Sequence, residues 1–169
     1  NDPDNVVAIA RAGAIAPLIE LVKSGTTNEK ACAVHALANL ASNNADNVVA
    51  IARAGGIAPL VELVKFGTED AKDNAAFALG NLANNNPDNV VAIARAGAIP
   101  PLVELVTFGT ANAKDYAACA LGNAMYNPDN VVPFVRAGAI PPLVELVKLG
   151  MEFGKANAAC ALEIGRAHV

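Results

Sequence analysis

Cys32, Cys119 and Cys160, with His35 and His168, are the side chains from which a nucleophilic or metal-binding centre would have to be built. A metal site needs Cys or His ligands close together, and each stretch of this chain offers only one such residue, or two. No serine or cysteine stands at a recognisable spacing from a base, and no glycine-rich phosphate loop is present. No catalytic residue, metal ligand or cofactor is therefore expected, and the chain reads as no enzyme. The cysteines are odd in number and flanked by alanines, which predicts small buried apolar thiols. Unpaired thiols suit a reducing, intracellular setting, cytoplasmic or nuclear.

What positions any chemistry is a phrase that the chain writes four times. Asp-Asn-Val-Val begins at Asp4, Asp46, Asp88 and Asp129, and Arg-Ala-Gly at Arg11, Arg53, Arg95 and Arg136, a spacing of 42, 42 and then 41 residues. A fixed period of this length marks a solenoid, in which each unit buries its apolar face only against its neighbours. Hydrophobic residues make up 54% of the chain, yet no apolar run approaches the roughly 18 to 20 residues that span a bilayer. A water-soluble chain without a membrane span is expected. The formal charge of −4 is spread over all copies with no basic stripe, so the electrostatic signature of a nucleic-acid partner is missing. No secretory signal is visible at the start, and a targeting segment would lie beyond the repeat edge at which the sequence opens.

The second copy shows how one unit is built. Asp46 is expected to cap a short first helix in which Val48, Val49, Ile51 and Ala52 form the apolar stripe. Arg53 suits its C-terminus, and Gly55 suits the left-handed residue that ends it. A second helix is predicted over Ile57–Phe66, with Pro59 in its first turn. Ile57, Leu60, Val61 and Val64 share its buried face, while Glu62 and Lys65 make an i, i+3 pair. Thr68 is the next cap, and its counterpart Thr26 has Glu29 at capping-box spacing. The third helix runs from about Glu69 to Asn84 with Ala71, Ala75, Ala78, Leu79 and Leu82 inward, the alanines permitting close helix approach. Helices this short are marginal alone in water, so only stacking holds them. The units are 1–45, 46–87, 88–128 and 129–162. Both ends of the stack should expose apolar faces, which predicts end-to-end self-association and a longer parent array.

The unit length, the short first helix, the phrase Ala-Gly-Ala-Ile-Pro-Pro-Leu-Val-Glu-Leu-Val and a third helix carrying Ala-Leu-Gly-Asn-Leu-Ala together resemble the armadillo repeat over residues 4–162. The repeats are similar to consensus-like plant U-box/armadillo proteins and, more distantly, to importin-α and β-catenin. The resemblance implies an all-α fold, a right-handed superhelix of four three-helix repeats. It also implies a concave groove, lined by third helices, that binds an extended peptide. The family's asparagine, which hydrogen-bonds the peptide backbone once per repeat, matches Asn39, Asn81 and Asn123. A primary amide offers a peptide unit both donor and acceptor; the alternative is that these asparagines satisfy local carbonyls at the helix end. Where importin-α carries tryptophan, one turn earlier, this chain has His35, Phe77 and Cys119, with Cys160 in the fourth copy and no tryptophan at all. One turn further back stand Cys32 with Ala31, Asn74 with Asp73, and Tyr116 with Asp115. That lining is mixed and partly acidic, and it suits a peptide with some positive charge. His35 also fits a solvated or core-edge residue.

The fourth copy keeps the pattern to Leu162 and then reads Glu-Ile-Gly-Arg-Ala-His-Val, with Ile164 where the next asparagine is due. Residues 163–169 are what GAG ATC GGA AGA GCA CAC GTC encodes, a string resembling a widely used sequencing adapter. A translated adapter is the expectation for this tail, which removes Ile164, Arg166 and His168 from any functional reading. Two functions follow. One is a protein-interaction scaffold that holds an extended partner segment. The other is the substrate-recognition part of a larger enzyme such as a U-box ubiquitin ligase. A designed repeat protein is disfavoured by three cysteines, unequal repeat lengths and unprotected ends.

Overall fold

The computed structural model describes the backbone of residues 3–167 and the side chains of residues 4–163. His168 and the side chains of Ile164 and Arg166 lie outside the described residues. All regular structure among the described residues is helical, in four consecutive sets. The first is α1 (Pro3–Arg11), α2 (Ile15–Ser24) and α3 (Thr27–Ala41); the second is α4 (Ala45–Arg53), α5 (Ile57–Phe66) and α6 (Glu69–Ala83). The third is α7 (Pro87–Arg95), α8 (Ile99–Phe108) and α9 (Ala111–Ala124). The fourth opens on a 3₁₀ turn (Pro128–Asn130) and continues as α10 (Val131–Arg136), α11 (Ile140–Leu149) and α12 (Glu152–Ala167).

Local chemistry sets these boundaries. The first helix of each set meets the second at 76–87°, and the corner is made by glycine at positive φ, +77° at Gly55. A Cβ there would touch nothing, so the requirement is conformational: side chains other than glycine rarely adopt this region. The capping box holds, with the Thr26 N–H donating to Glu29 Oε2 at 2.7 Å and the Glu29 N–H to Thr26 Oγ1 at 3.4 Å. The Thr26 backbone N–H, and then the Thr26 side chain, hold the Glu29 carboxyl below its ordinary range. Glu62 and Lys65 pair at 2.9 Å on the exposed side of α5.

The first-helix caps differ from expectation. Asn44, not Asp46, caps α4, its side-chain oxygen accepting the Asn47 N–H at 3.0 Å, and Asn86 does the same for Asn89 at 3.1 Å. Asp46 and Asp88 sit two residues further on, within the first turn, where their charge still complements the helix N-terminus. Asparagine wins because the preceding residue, Asn43 or Asn85, is in the left-handed region at φ 55° and 52°. The chain then enters the helix from an extended residue whose side chain points back over the first turn. The short repeat lacks that left-handed residue. Tyr126 runs directly into Asn127, which accepts the Asp129 N–H at 3.1 Å, and the next helix therefore starts as a 3₁₀ turn. Pro133 falls within the first turn of α10, where its missing N–H costs least.

Packing is organised by layer. Consecutive third helices (α3, α6, α9, α12) pack closely side by side, each backed by its own second helix, whereas consecutive second helices touch sparsely. The layer of tighter spacing has the shorter arc, so the stack curves with its third helices on the inside. Gly80 and Gly122 set that spacing: a Cβ at Gly80 would stand 3.7 Å from Cys119 Sγ, and one at Gly122 3.7 Å from the Asn157 carbonyl. A methyl group fits there, as at Ala38 in the first repeat, and a longer side chain does not. One apolar core runs the length of the stack through Ile19, Leu37, Leu60, Leu79, Leu102, Leu121 and Leu143.

The cysteines depart from expectation. Cys32 and Cys160 are exposed and Cys119 is only half-buried. Alanine neighbours do not bury them, because in a third helix alanine lines the seams on both sides while the cysteine positions face outward between the seams.

Candidate functional site

Residues four, three and four apart on a helix share one face. In α6 this places Asp70, Asn74, Phe77 and Asn81 in a stripe; in α9 the stripe is Asn112, Tyr116, Cys119 and Asn123, and in α3 it is Asn28, Cys32, His35 and Asn39. All of these are exposed or half-buried, while the neighbouring Ala75, Ala76, Ala78, Leu79 and Leu82 are buried. The stripes therefore lie on the inner face of the third-helix layer, one per repeat, and bring the predicted residues onto a single surface.

The asparagines are held by the preceding repeat. Asn81 Nδ2 donates to the Ala38 carbonyl at 3.3 Å, and Asn123 Nδ2 donates to the Gly80 carbonyl at 3.0 Å. Neither bond goes to the asparagine's own helix end, so local carbonyl capture does not describe them. Each amide ties two third helices together and fixes its plane in the same way one repeat apart. A primary amide has two donor hydrogens and an acceptor oxygen, so this bond leaves the oxygen of each side chain and one hydrogen of Asn81, while Asn123 Nδ2 also donates to Cys119 Sγ, a weak acceptor, at 3.9 Å. Asn74 is anchored differently, donating to the Asp70 carbonyl of its own helix at 2.8 Å.

Between the two asparagine rungs lies an aromatic bridge. The rings of Phe77 and Tyr116 stand 4.8 Å apart at an interplanar angle of 35°, a tilted pair that crosses the seam between α6 and α9. Such a half-buried pair offers a flat apolar and cation-binding face. His35 is exposed on α3 and joins no such cluster. Burial, and then the nearby Cys160, push the Cys119 thiol up, which leaves it protonated and a poor nucleophile. Among the described residues no three His, Cys, Asp or Glu side chains converge as a metal site, and no single helix is long and apolar enough to cross a membrane.

The acidic lining is thinner than the sequence suggests. Asp115 is buried, and Asp73 turns into the seam, where its Oδ2 accepts the Thr110 hydroxyl at 2.8 Å and its buried Oδ1 has no hydrogen-bond partner. Desolvation raises both carboxyls above their ordinary range, opposed at Asp73 by the Thr110 bond. The stripe's remaining exposed acid is Asp70. Thr110 is replaced in the next repeat by Met151, so Asp115 has no equivalent hydroxyl. A carboxyl with a raised folded pKa binds more protons folded than unfolded, so its contribution to stability falls as pH rises through the window between the two values. Asp115→Asn is therefore expected to raise the melting temperature at pH 7, by an amount on the order of 2 °C. The gain should shrink as pH is lowered toward 4; thermal unfolding across that range measures it.

The buried asparagines of the first helices were not singled out from the sequence. Asn47, Asn89 and Asn130 are buried, and their amides donate to the carbonyls of Leu40 at 2.9 Å, Leu82 at 2.9 Å and Ala124 at 2.8 Å. Each pins a first helix to the end of the preceding third helix. Their recurrence beside the conspicuous Asp of every copy was the available signal.

The Armadillo/beta-catenin-like repeat family matches residues 44–84 and 86–125. An engineered protein of known crystal structure is 30% identical and superposes with a TM-score of 0.89 over 99% of this chain and 69% of its own. A computationally designed armadillo repeat protein for modular peptide recognition is 30% identical, with a TM-score of 0.86 over 96% of this chain and 69% of its own. A third, a designed armadillo repeat protein in complex with the peptide (KR)4, is 29% identical, with a TM-score of 0.85 over 95% and 68%. No curated protein sequence matches the chain significantly.

Proposed function

The chain belongs to the armadillo repeat family, and on that premise we propose that its inner face is a protein-interaction groove holding an extended peptide segment of a partner. The observation that carries this reading is the matched posture of Asn81 and Asn123, each locked to the third helix before it. An amide so fixed has lost its rotational freedom before a ligand arrives, which lowers the entropic cost of binding. Its remaining oxygen and hydrogen match the N–H and C=O of an extended backbone, and Asn39 continues the row on α3. Binding, not catalysis, is the proposed activity. Three free thiols, Cys32, Cys119 and Cys160, suit an intracellular setting.

Specificity in this account comes from Asn74, Phe77, Tyr116, Cys119 and His35, which differ from repeat to repeat, since backbone capture is blind to sequence. The Phe77–Tyr116 pair and the exposed Asp70 favour a basic side chain at the central seam, by cation–π attraction and by charge. That a designed relative carries (KR)4 supports the same preference.

Fluorescence anisotropy with labelled extended peptides, an alternating Lys/Arg octamer among them, tests the reading. Asn81→Ala combined with Asn123→Ala removes two backbone hydrogen bonds worth about 1 kcal/mol each, so affinity should fall roughly ten- to thirtyfold. Thermal unfolding of the same variant checks that the stack survives loss of the two inter-helix bonds. Equal affinity for wild type and a folded double variant would reject the ladder.

A further inference from the structure

The third repeat is one residue shorter than the two before it, and the shortening falls at Tyr126–Asn127–Pro128. Tyr126 stands where the first two repeats have Ser42 and Asn84, three residues past the asparagine rung. It is 70% exposed, and among the described residues its ring meets no other ring and its hydroxyl makes no hydrogen bond. Asn84, with a full repeat on each side, is exposed too, so the exposure belongs to the position and not to the limits of the sequence. Tyr126 walls a cavity of about 600 Å³, within the roughly 300–1,000 Å³ of small-ligand sites. Pro87, Val90 and Val91 of α7 line it as well, and so does Asn123, which makes the cavity continuous with the proposed groove.

The chemistry of the lining selects the occupant. Asn86 and Asn127 spend their side-chain oxygens on the backbone, accepting the Asn89 and Asp129 N–H groups at 3.1 Å each. Asp129 is the only charged residue of the lining, and it is exposed. A charged head drawn into the cavity would lose water and gain no buried partner. An aromatic ring would exchange water for valine, proline and tyrosine surface. We propose that this cavity takes one aromatic side chain of the peptide held in the groove, with a basic neighbour of that residue lying against Asp129. The inference rests on the groove reading and adds a register to it. Backbone capture at repeated rungs lets a peptide slip by one repeat, whereas a cavity whose aromatic wall occurs once fixes which residue sits where. An aromatic anchor in such a pocket carries a large share of the binding energy.

The chain contains no tryptophan, so a tryptophan in the peptide reports its own burial. Three peptides are compared: the alternating Lys/Arg octamer, and the same octamer with tryptophan added at its N-terminal or its C-terminal end. One of the two tryptophan peptides should bind about tenfold tighter than the plain octamer, with its emission shifted to the blue. Tyr126→Ala removes a wall and Val91→Gln fills the space; both should abolish the advantage and the shift while the plain octamer binds as before, and circular dichroism verifies the fold. Tryptophan peptides that bind no tighter than the plain octamer would overturn the proposal, as would an advantage that survives in both variants. The two readings fail separately. If octamer binding depends on Asn81 and Asn123 but tryptophan adds nothing, the cavity falls alone. If octamer binding ignores those asparagines while the tryptophan advantage needs Tyr126, the ladder falls and the cavity stands. A chain that binds none of the three peptides overturns both.

Discussion

Leu102→Ala is expected to cost about 3 kcal/mol, near the middle of the range for a fully buried leucine, while Leu18→Ala, the same change one end further out, costs less than half as much. Leu102 has no exposed surface. Leu18 holds the same place in α2 but is only partly buried. Residue type and helix position are shared by the two sites, so the difference chiefly measures the seam. In a nearest-neighbour stack the loss at Leu102 also uncouples the first two repeats from the last two. Chemical denaturation should show the transition broaden or split in Leu102→Ala and remain single in Leu18→Ala. Equal costs at the two sites would place the stability inside each repeat instead of between repeats.

Asn89→Ala is the second large effect, about 2 kcal/mol, although it removes no apolar group. The amide is buried and donates to the Leu82 carbonyl at 2.9 Å, and its own N–H is taken by Asn86 at 3.1 Å. Without the side chain, the Leu82 carbonyl is left buried without that donor, and the penalty is that of an unmet polar group plus a small cavity. Asn89→Asp should be as damaging, since a carboxylate cannot donate and a charge is costly there. Hydrogen exchange should report the loss at the α6–α7 junction, with the third-helix rungs protected as before. Wild-type stability in Asn89→Ala would mean that this bond is not what fixes the first helix.

Much of this architecture was legible in the residues. Ile57–Phe66 was readable as a helix because its apolar spacing is regular, Pro59 marks its start and Gly67 its end. Gly55 was readable as the corner because it follows a cation at a helix C-terminus. The caps of the first helices were misplaced by two residues, since Asn44 and Asp46 are both good capping residues and the choice depends on the backbone of Asn43. The third helices were the least legible. Their alanines make close seams on two sides, so the amphipathic contrast that orients α5 is weak in α6. For that reason Cys32 and Cys160 read as buried yet are exposed, and Asp115 read as groove lining yet lies in the seam. The asparagines came from the resemblance to the armadillo repeat, and the bond of Asn81 and of Asn123 to the previous repeat, which joins residues 43 apart, needs the register of two helices.

The central claim is that Asn81 and Asn123 present a preset row of amides to an extended peptide. The most direct test is a titration followed by NMR through the side-chain amide resonances of these two residues, with the alternating Lys/Arg octamer as ligand. The account predicts that both side-chain NH₂ pairs shift together and saturate with the binding isotherm, while the Asn47 and Asn89 pairs, buried at the first helices, stay still. Saturable binding that leaves the Asn81 and Asn123 amides unmoved would contradict it.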